Sequence, residues 1–412
     1  MCRFSSQKYR EVTEPVIRRG LLVQMHSLWS RTVLALAIAT LLVSTGCTGY
    51  SNASSANSSM APANTYAYVS EENSSTFGFS VAQFQVSSGG TFTALNPPSV
   101  TINASDYSLT TDPSGKYLFT DGSENDLTPG AILQFVIGTD GTLADNSVPT
   151  VGTANLPGAL AFTPDGRFAI TPNGDNTVSS YALSSTGSLS LINTVLAGFG
   201  PNSAVIDSTG QFAYVTAGGL GNTSEFTISE YTISPSGALN LAVTYPLWPN
   251  PGAMTVSPRG FLYLTEYTPP DYGTNPGAIV EFSINETNGG LSVVNTYSTA
   301  DSDPGRIIFD PTGAYAYVTN VYSLTISQYS VDASTGALTP NGPDTPVGIG
   351  SISGVVDPSG KFLYLANQGQ EDTRSPQVSL FVINADDTLS PDGIAASLAT
   401  DSYPFAIAIA QQ

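Results

Sequence analysis

Short apolar strands separated by polar turns recur along the chain at a nearly fixed interval. In each unit an apolar strand ends in a tight turn. A strand with two alternating aromatic residues follows, except that Ile170 takes the second aromatic position in one unit, and a third strand carries one central aromatic residue. These third-strand aromatics lie 46 to 52 residues apart, at Phe84, Phe135, Tyr181, Tyr231, Phe282, Tyr329 and Phe381. A repeat of about fifty residues that contains several short strands is typical of a β-propeller blade.

The turn between the first two strands is the best-defined part of the unit. In Asp310-Pro311-Thr312-Gly313, proline presets φ in the turn and glycine accepts a positive φ. The pattern recurs at 112–115, 257–260 and 357–360. The strand that follows places two rings on one face, as at Tyr315 and Tyr317, because alternate residues of a strand share a face. This spacing predicts sheets that pack face to face.

The two ends of the repeat complement each other. Residues 65–69 resemble a second strand with no first strand before it, and residues 404–409 resemble a first strand with no second strand after it. Pairing them in one blade closes the ring and removes exposed sheet edges. We therefore predict an all-β fold over residues 65–412: a seven-bladed β-propeller of four-stranded antiparallel blades, closed by its N- and C-terminal strands. Since closure satisfies the edges within one chain, we expect a monomer.

The beginning of the chain indicates export. Arg31 precedes an apolar run at 33–43, which is too short to cross a bilayer as a helix and is followed by Ser44-Thr45-Gly46-Cys47. Small residues before a cysteine resemble the bacterial lipobox. Residues 1–47 are therefore predicted to be a lipoprotein-type signal peptide with Cys47 as the lipidated residue, and Met25 is an alternative start.

The segment 48–64 is rich in Ser, Asn and Ala and is predicted to be a flexible tether. A tether between a lipid anchor and a propeller fits a cell-envelope lipoprotein, either periplasmic or on the cell surface. In that arrangement only the anchor contacts the membrane. A secreted protein is the alternative.

Charge separates the leader from the rest of the chain. The first 47 residues hold six of the 12 basic residues and two of the 32 acidic ones, so 6 basic and 30 acidic residues remain, a charge of −24. This balance argues against nucleic acid and other polyanionic ligands. It is compatible with a cationic ligand or surface partner, and also with a simple gain in solubility.

Candidate catalytic groups are few. Both cysteines and the one histidine, His26, lie at or before residue 47, so nucleophilic Ser–His or Cys–His systems are excluded from the propeller. Acid–base chemistry must then use Asp, Glu, Tyr or Arg. Glu266, at the end of a second strand, and Arg306, just before the next first strand, are the candidate base and its partner, although a structural ion pair between blades is an alternative. Glu230 and Glu281, in third strands, are expected to face solvent.

The loops between second and third strands are expected to form an acidic rim. Its candidate ligand-binding residues are Glu225, Asp271, Glu371, Asp372 and Arg374, with Trp248 in a neighbouring Pro-rich segment. Asp121, Glu124 and Asp126 form the densest acidic group and are a candidate calcium site, because carboxylate oxygens suit a hard cation. A solvated acidic loop is the alternative, and no cofactor is required by the sequence.

The repeat resembles a known family. Asp310 to Asn320 and Asp357 to Asn367 follow the pattern Asp-Pro-x-Gly-x-aromatic-x-Tyr, then Val or Leu-x-Asn. This pattern resembles the lactonase-type seven-bladed propellers, which include 6-phosphogluconolactonases and carboxy-muconate cyclases, and is similar to surface-layer YVTN propellers. The enzymes often carry Pro-Arg-His before a first strand, and the matching segment here is Pro304-Gly305-Arg306.

Two functions follow from these observations. The resemblance implies a lactonase-like carboxylic ester hydrolase that acts on a small lactone or ester outside the cytoplasm. The alternative is a non-catalytic binding or surface-interaction propeller that uses the acidic rim, with calcium as the candidate ion. Turnover that depends on Glu266 distinguishes the first hypothesis from the second.

Overall fold

The computed structural model confirms an all-β fold. It describes residues 64–73, 76, 78–102, 108–122, 130–153, 156–218, 226–247, 251–266, 277–299, 304–321, 323–348, 351–368, 376–399 and 402–412, all in the unit Thr40–Gln412. Over these ranges the chain forms seven antiparallel sheets and no helix. In particular, they include no helix long and apolar enough to cross a membrane.

We number the blades 1 to 7 and the strands β1 to β29 in chain order. Blade 1 contains β29 (Ser402–Gln411), β1 (Thr65–Asn73), β2 (Phe79–Val86) and β3 (Phe92–Ile102). Blade 2 contains β4 (Thr110–Thr111), β5 (Tyr117–Gly122), β6 (Ala131–Ile137) and β7 (Leu143–Gly152). Blade 3 contains β8 (Ala161–Phe162), β9 (Phe168–Asn173), β10 (Thr177–Leu183) and β11 (Leu189–Leu196). Blade 4 contains β12 (Pro201–Ile206), β13 (Phe212–Ala217), β14 (Phe226–Ile233) and β15 (Leu239–Leu247).

The remaining three blades repeat this order. Blade 5 contains β16 (Pro251–Val256), β17 (Leu262–Glu266), β18 (Ala278–Ile284) and β19 (Leu291–Ser298). Blade 6 contains β20 (Pro304–Phe309), β21 (Tyr315–Asn320), β22 (Thr325–Val331) and a divided fourth strand, β23 (Leu338–Pro340) and β24 (Thr345–Pro346). Blade 7 contains β25 (Ser351–Val356), β26 (Phe362–Asn367), β27 (Gln377–Ile383) and β28 (Leu389–Ser397).

The ring closes as predicted, through the two ends of the propeller. β1 pairs antiparallel with β29 along its whole length, from Thr65 opposite Gln411 to Asn73 opposite Ser402. Ile407 of β29 then packs in one apolar cluster with Val69 of β1 and Tyr364 of blade 7. The last strand therefore supplies the first blade with its innermost strand and also buries apolar surface against the seventh blade.

The turns between first and second strands also form as predicted. Gly313 has φ of 66°, and the carboxylate of Asp310 accepts the N–H groups of Thr312 (3.0 Å) and Tyr315 (2.7 Å). Asp207, in the turn that lacks proline, makes the equivalent bonds to its own turn. These buried aspartates therefore satisfy turn amides, which accounts for their recurrence in the repeat.

Second-strand tyrosines join several blades to the next one. The hydroxyl of Tyr214 donates to the carbonyl of Gly289 (2.6 Å), and that of Tyr317 donates to the carbonyl of Asp387 (3.1 Å), both in the hairpin of the following blade. Tyr364 occupies the same position in blade 7, but its buried hydroxyl has no hydrogen-bond partner among the described residues. Its ring packs instead on Phe92 of blade 1, with centroids 4.8 Å apart.

This difference predicts opposite effects for one substitution at two matching positions. Tyr364→Phe should raise the free energy of unfolding by about 1 kcal/mol, because it removes a buried hydroxyl that has no partner. Tyr317→Phe is the matched control and should lower it by about 1 kcal/mol, since the Asp387 carbonyl loses its donor. Urea unfolding of both variants measures the difference, and equal destabilisation by the two would contradict the assignment.

Candidate functional site

The first strands of the blades surround a central channel with a cavity of about 320 Å³. We call the end with the loops between second and third strands the upper end, and the end with the turns between first and second strands the lower end. First strands begin at the upper end, because the strands of each blade are antiparallel. Arg306 lines the cavity near the beginning of β20, whereas Asp310 and Pro311 line it at the lower end.

First strands are irregular where they begin. In β20, Pro304 pairs with Asn320 and Ile307 pairs with Val318, so Gly305 and Arg306 lie in a bulged segment. Similar register shifts occur at the upper ends of β12, β16 and β25. Bulges change the direction of side chains and are common near active sites. Here the bulge accompanies a buried arginine, since the Arg306 side chain is only 9% exposed.

Two threonine hydroxyls hold this bulge in place. Thr265 accepts the N–H of Ala253 in its own blade (2.8 Å) and donates to the carbonyl of Gly305 in the next blade (2.9 Å). Thr319 accepts the N–H of Arg306 (3.0 Å). The backbone around Arg306 is therefore fixed from both sides, and Thr265, which precedes Glu266, connects blades 5 and 6 directly at the candidate site.

Glu266 ends β17 beside this bulge. Gly277 lies between the two blades: a Cβ there would overlap the ring of Pro304 and would lie 3.0 Å from the Glu266 carbonyl oxygen. The Glu266 side chain is half-buried, and burial raises its pKa from 4.5 to about 6. A carboxyl group in this pKa range can exchange a proton with a reacting group near neutral pH.

Glu266 occupies a position at the end of the second strand that has a structural role in other blades. Three of them carry asparagine at this position, at Asn173, Asn320 and Asn367. Asn320 donates to the hydroxyl of Ser327 (2.8 Å) and so ties the end of the second strand to the third. In blade 5 the matching third-strand residue is Val280, which has no hydroxyl. Blade 5 therefore lacks the partner that makes this position structural elsewhere.

The structure brings Glu266 and Arg306 to the same end of adjacent blades. No ion pair or hydrogen bond joins the two side chains, and the one ion pair among the described residues is Arg167–Asp165 at the lower end (2.5 Å). A carboxylate that is not neutralised by an arginine remains available as a base. Arg306 lines the cavity, and a guanidinium group there can stabilise negative charge that develops on an oxygen of a bound ligand.

The other candidate site residues are placed in part. Asp121 is buried and accepts a hydrogen bond from Ser108. The described ranges contain no group of three acidic or other metal-ligating residues that could hold an ion. The predicted site residues that lie outside the described residues are Glu124, Asp126, Glu225, Trp248, Asp271, Glu371, Asp372, Arg374 and Cys47.

The expectation for Glu230 and Glu281 was wrong, because both are buried. Tyr245 donates to Glu230 and Tyr297 donates to Glu281, each at 2.6 Å, and the Tyr245 oxygen accepts the N–H of Leu291 in the next blade. Other blades use glutamine at this position to accept that N–H directly, at Gln83, Gln134 and Gln328. Both faces of a propeller blade are packed against neighbours, so strand alternation does not imply a solvent face. The glutamines at matching positions were the available sequence signal.

Comparison with known proteins agrees with this architecture. The family model described as lactonase, 7-bladed beta-propeller, matches residues 50–353, which is more than half of the chain. A 6-phosphogluconolactonase from Formosa agariphila is 36% identical over 84 residues, which are 20% of this chain and 22% of that protein. The chain thus matches only about a fifth of the length of this curated relative.

Solved structures support the fold. A candidate 6-phosphogluconolactonase from Bacteroides uniformis superimposes with a TM-score of 0.65 at 20% identity, over 85% of this chain and 100% of that one. A periplasmic gluconolactonase from Pseudomonas aeruginosa gives a TM-score of 0.64 at 17% identity, over 84% and 99% of the two chains. At these identities the likeness concerns the fold alone. By the extent of the family match, the chain belongs to the seven-bladed lactonase β-propeller family.

Proposed function

We propose that this protein is a lactone hydrolase that acts outside the cytoplasm, with Glu266 as general base and Arg306 as the group that stabilises the oxyanion. The observation that carries the proposal is the Glu266 carboxylate. Burial raises its pKa to about 6, it has no ion-pair partner among the described residues, and it holds a position where three other blades have a structural asparagine. Its neighbour Arg306 lines the central cavity.

The proposed reaction needs one base and one cationic group. Glu266 takes a proton from water as the water oxygen attacks the lactone carbonyl carbon, and the carbonyl oxygen becomes an oxyanion that faces Arg306. When this intermediate collapses, the bond between the carbonyl carbon and the ring oxygen breaks. The protonated Glu266 returns its proton to the departing ring oxygen, which gives the open hydroxy acid. General acid–base catalysis of this kind contributes roughly 10²- to 10⁴-fold to the rate.

The distribution of cations favours an uncharged lactone. The structure describes five basic residues, and four of them lie in the turns at the lower end: Lys116, Arg167, Arg259 and Lys361. Arg306 is the fifth. A phosphorylated substrate would need positive charge at the upper end beyond Arg306 and Arg374, the sixth basic residue after position 47, in a chain of net charge −20. A neutral lactone needs only Arg306, for the charge that develops during the reaction.

Export is part of the proposal and rests on the leader. The apolar run at 33–43, the small residues before Cys47 and the polar segment 48–64 support a lipid-anchored location in the cell envelope. An exported enzyme would encounter unphosphorylated lactones. The two arguments, from location and from charge, therefore favour the same substrate class.

A proton-release assay tests the proposal. The purified protein is incubated with an uncharged aldonolactone, its 6-phosphorylated counterpart and a simple alkyl lactone, in the presence of calcium and again with a chelator. We expect turnover of the uncharged aldonolactone in both conditions. An absence of turnover across the panel would contradict the hydrolase and favour the alternative of a binding propeller, for which calcium-dependent heat in a calorimetric titration would be the next observation.

A further inference from the structure

The fourth strands form the outer edge of the ring, and they differ between blades. Four of them are protected in ways typical of exposed sheet edges, by proline, by charge or by interruption. β3 contains Pro97 and Pro98, β28 contains Pro391 and Asp392, β7 contains Asp145, and the fourth strand of blade 6 is divided. The fourth strands of blades 3, 4 and 5 have no charged residue, and their one proline is at the end of β15.

These three strands also carry most of the exposed aliphatic side chains of the described chain. We define the apolar belt as Leu191 of β11, Leu241 and Val243 of β15, and Val293 and Val294 of β19, which are 43% to 62% exposed. Each of these three strands has a register shift next to its belt residues. β11 contacts β15, so the belt residues of blades 3 and 4 lie on neighbouring strands, and β19 is the fourth strand of the following blade.

Charged residues are absent from the chain around the belt residues of blades 3 and 4, whereas Glu286 and Asp301 flank those of blade 5. No charged residue occurs between Asp175 and Asp207 or between Glu230 and Arg259, in a protein with 32 acidic residues. A cationic partner would therefore be attracted to other parts of the surface. Nucleic acid would find no basic residue here, and a sugar would find no exposed aromatic ring among the five belt residues. The belt favours a partner that is itself uncharged and aliphatic at the contact.

A second copy of this chain meets that requirement. A two-fold interface brings the same patch together from both subunits, so the patch must be complementary to itself. An uncharged aliphatic belt has this property. It also lets two strongly acidic molecules approach where local repulsion is least. Blade 4 is the middle of the three blades, so a two-fold axis beside β15 would place β11 of one copy next to β19 of the other.

We propose that the protein forms a two-fold homodimer through the apolar belt, centred on β15. This proposal replaces the expectation of a monomer and does not depend on the proposed hydrolase activity. The interface covers outer strands, so the upper end of the channel stays open in both copies.

Sedimentation velocity of the purified protein tests the proposal with a matched pair of variants. Leu241→Lys places a charge in the middle of the belt, next to the two-fold axis. Ile394→Lys places the same charge on β28 of blade 7, at an apolar residue of similar exposure (48%, against 53% for Leu241) that lies outside the belt. Both positions are exposed, so both variants should fold and melt within a few degrees of the wild type.

We expect the wild-type protein to sediment as a dimer at concentrations from about 1 to 100 μM, the range of weak and standard interfaces. Leu241→Lys should weaken the dimer at least 100-fold, whereas Ile394→Lys should leave it unchanged. Val293→Lys is a second belt variant and should act like Leu241→Lys. A monomeric wild type, a dimer that survives both belt variants, or a dimer lost in Ile394→Lys would overturn the proposal, whatever else binds the belt.

Discussion

Replacement of Glu266 by glutamine should remove nearly all lactone turnover. Glutamine keeps the size and polarity of the side chain and cannot accept the proton from water. We expect kcat to fall by about 10²- to 10⁴-fold, the usual contribution of a positioned general base, with KM near the wild-type value. Initial rates of proton release on an uncharged aldonolactone measure the effect.

The same substitution should not destabilise the fold. Because burial raises the pKa of Glu266 from 4.5 to about 6, the folded state favours the protonated form, and its stability falls as pH rises through this interval. The difference between these two pKa values corresponds to a loss of at most about 2 kcal/mol in the free energy of unfolding at pH 8. Glu266→Gln should therefore be as stable as the wild type at pH 4.5 and more stable, by up to that amount, at pH 8.

Glu71→Gln is a matched control for this experiment. Glu71 holds the same position at the end of the second strand in blade 1, where its carboxylate accepts a hydrogen bond from Ser80 (3.3 Å). Turnover should persist in this variant. Loss of activity in both variants, or in neither, would contradict the assignment of Glu266 as the base.

Alanine at Gly141 should produce the largest loss of stability that we predict. Gly141 has φ of 81°, which a residue with a Cβ adopts at a cost of roughly 1–2 kcal/mol. An added Cβ would also overlap the buried ring of Tyr66 in the preceding blade, and relief of such overlap costs about 1–3 kcal/mol. We expect the free energy of unfolding to fall by about 3 kcal/mol in urea titrations.

Gly152→Ala serves as the comparison for this variant. Nothing lies within 4 Å of the Cβ that it would introduce, and residue 152 ends a strand, so stability should change by less than about 0.5 kcal/mol. An equally small change in the free energy of unfolding for Gly141→Ala would contradict the close packing of this hairpin glycine against Tyr66 of the preceding blade.

The fold was predictable because each level of the repeat agrees with the others. The spacing of third-strand aromatics gives the blade count, and the Asp-Pro-x-Gly turns give the boundary between first and second strands. The unpaired strand at each end of the repeat predicts how the ring closes, and the structure pairs these two strands, β1 and β29. These features are local, so one chain contains about seven independent copies of the same signal.

The candidate site could be predicted from the sequence only in part. The sequence predicts Glu266 and Arg306 together because they flank adjacent strand ends, and the structure joins those ends through the Thr265 hydroxyl. The bulge that contains Arg306 has no local sequence signature, since it depends on hydroxyl groups of two other strands, β17 and β21. Glu281 illustrates a related difficulty. A charged residue in a strand of alternating pattern predicts exposure to solvent, but Glu281 is buried because both faces of its blade are packed.

The most direct test of the central claim is the pH dependence of kcat/KM for an uncharged aldonolactone between pH 4.5 and 8, corrected for uncatalysed hydrolysis. Glu266 must be ionised to act as a base. The account therefore predicts that kcat/KM rises with pH to a plateau, with an apparent pKa of about 6. It also predicts that this inflection is absent from the residual activity of Glu266→Gln. A rate that is independent of pH across this interval, or one that falls as pH rises through 6, would contradict the account.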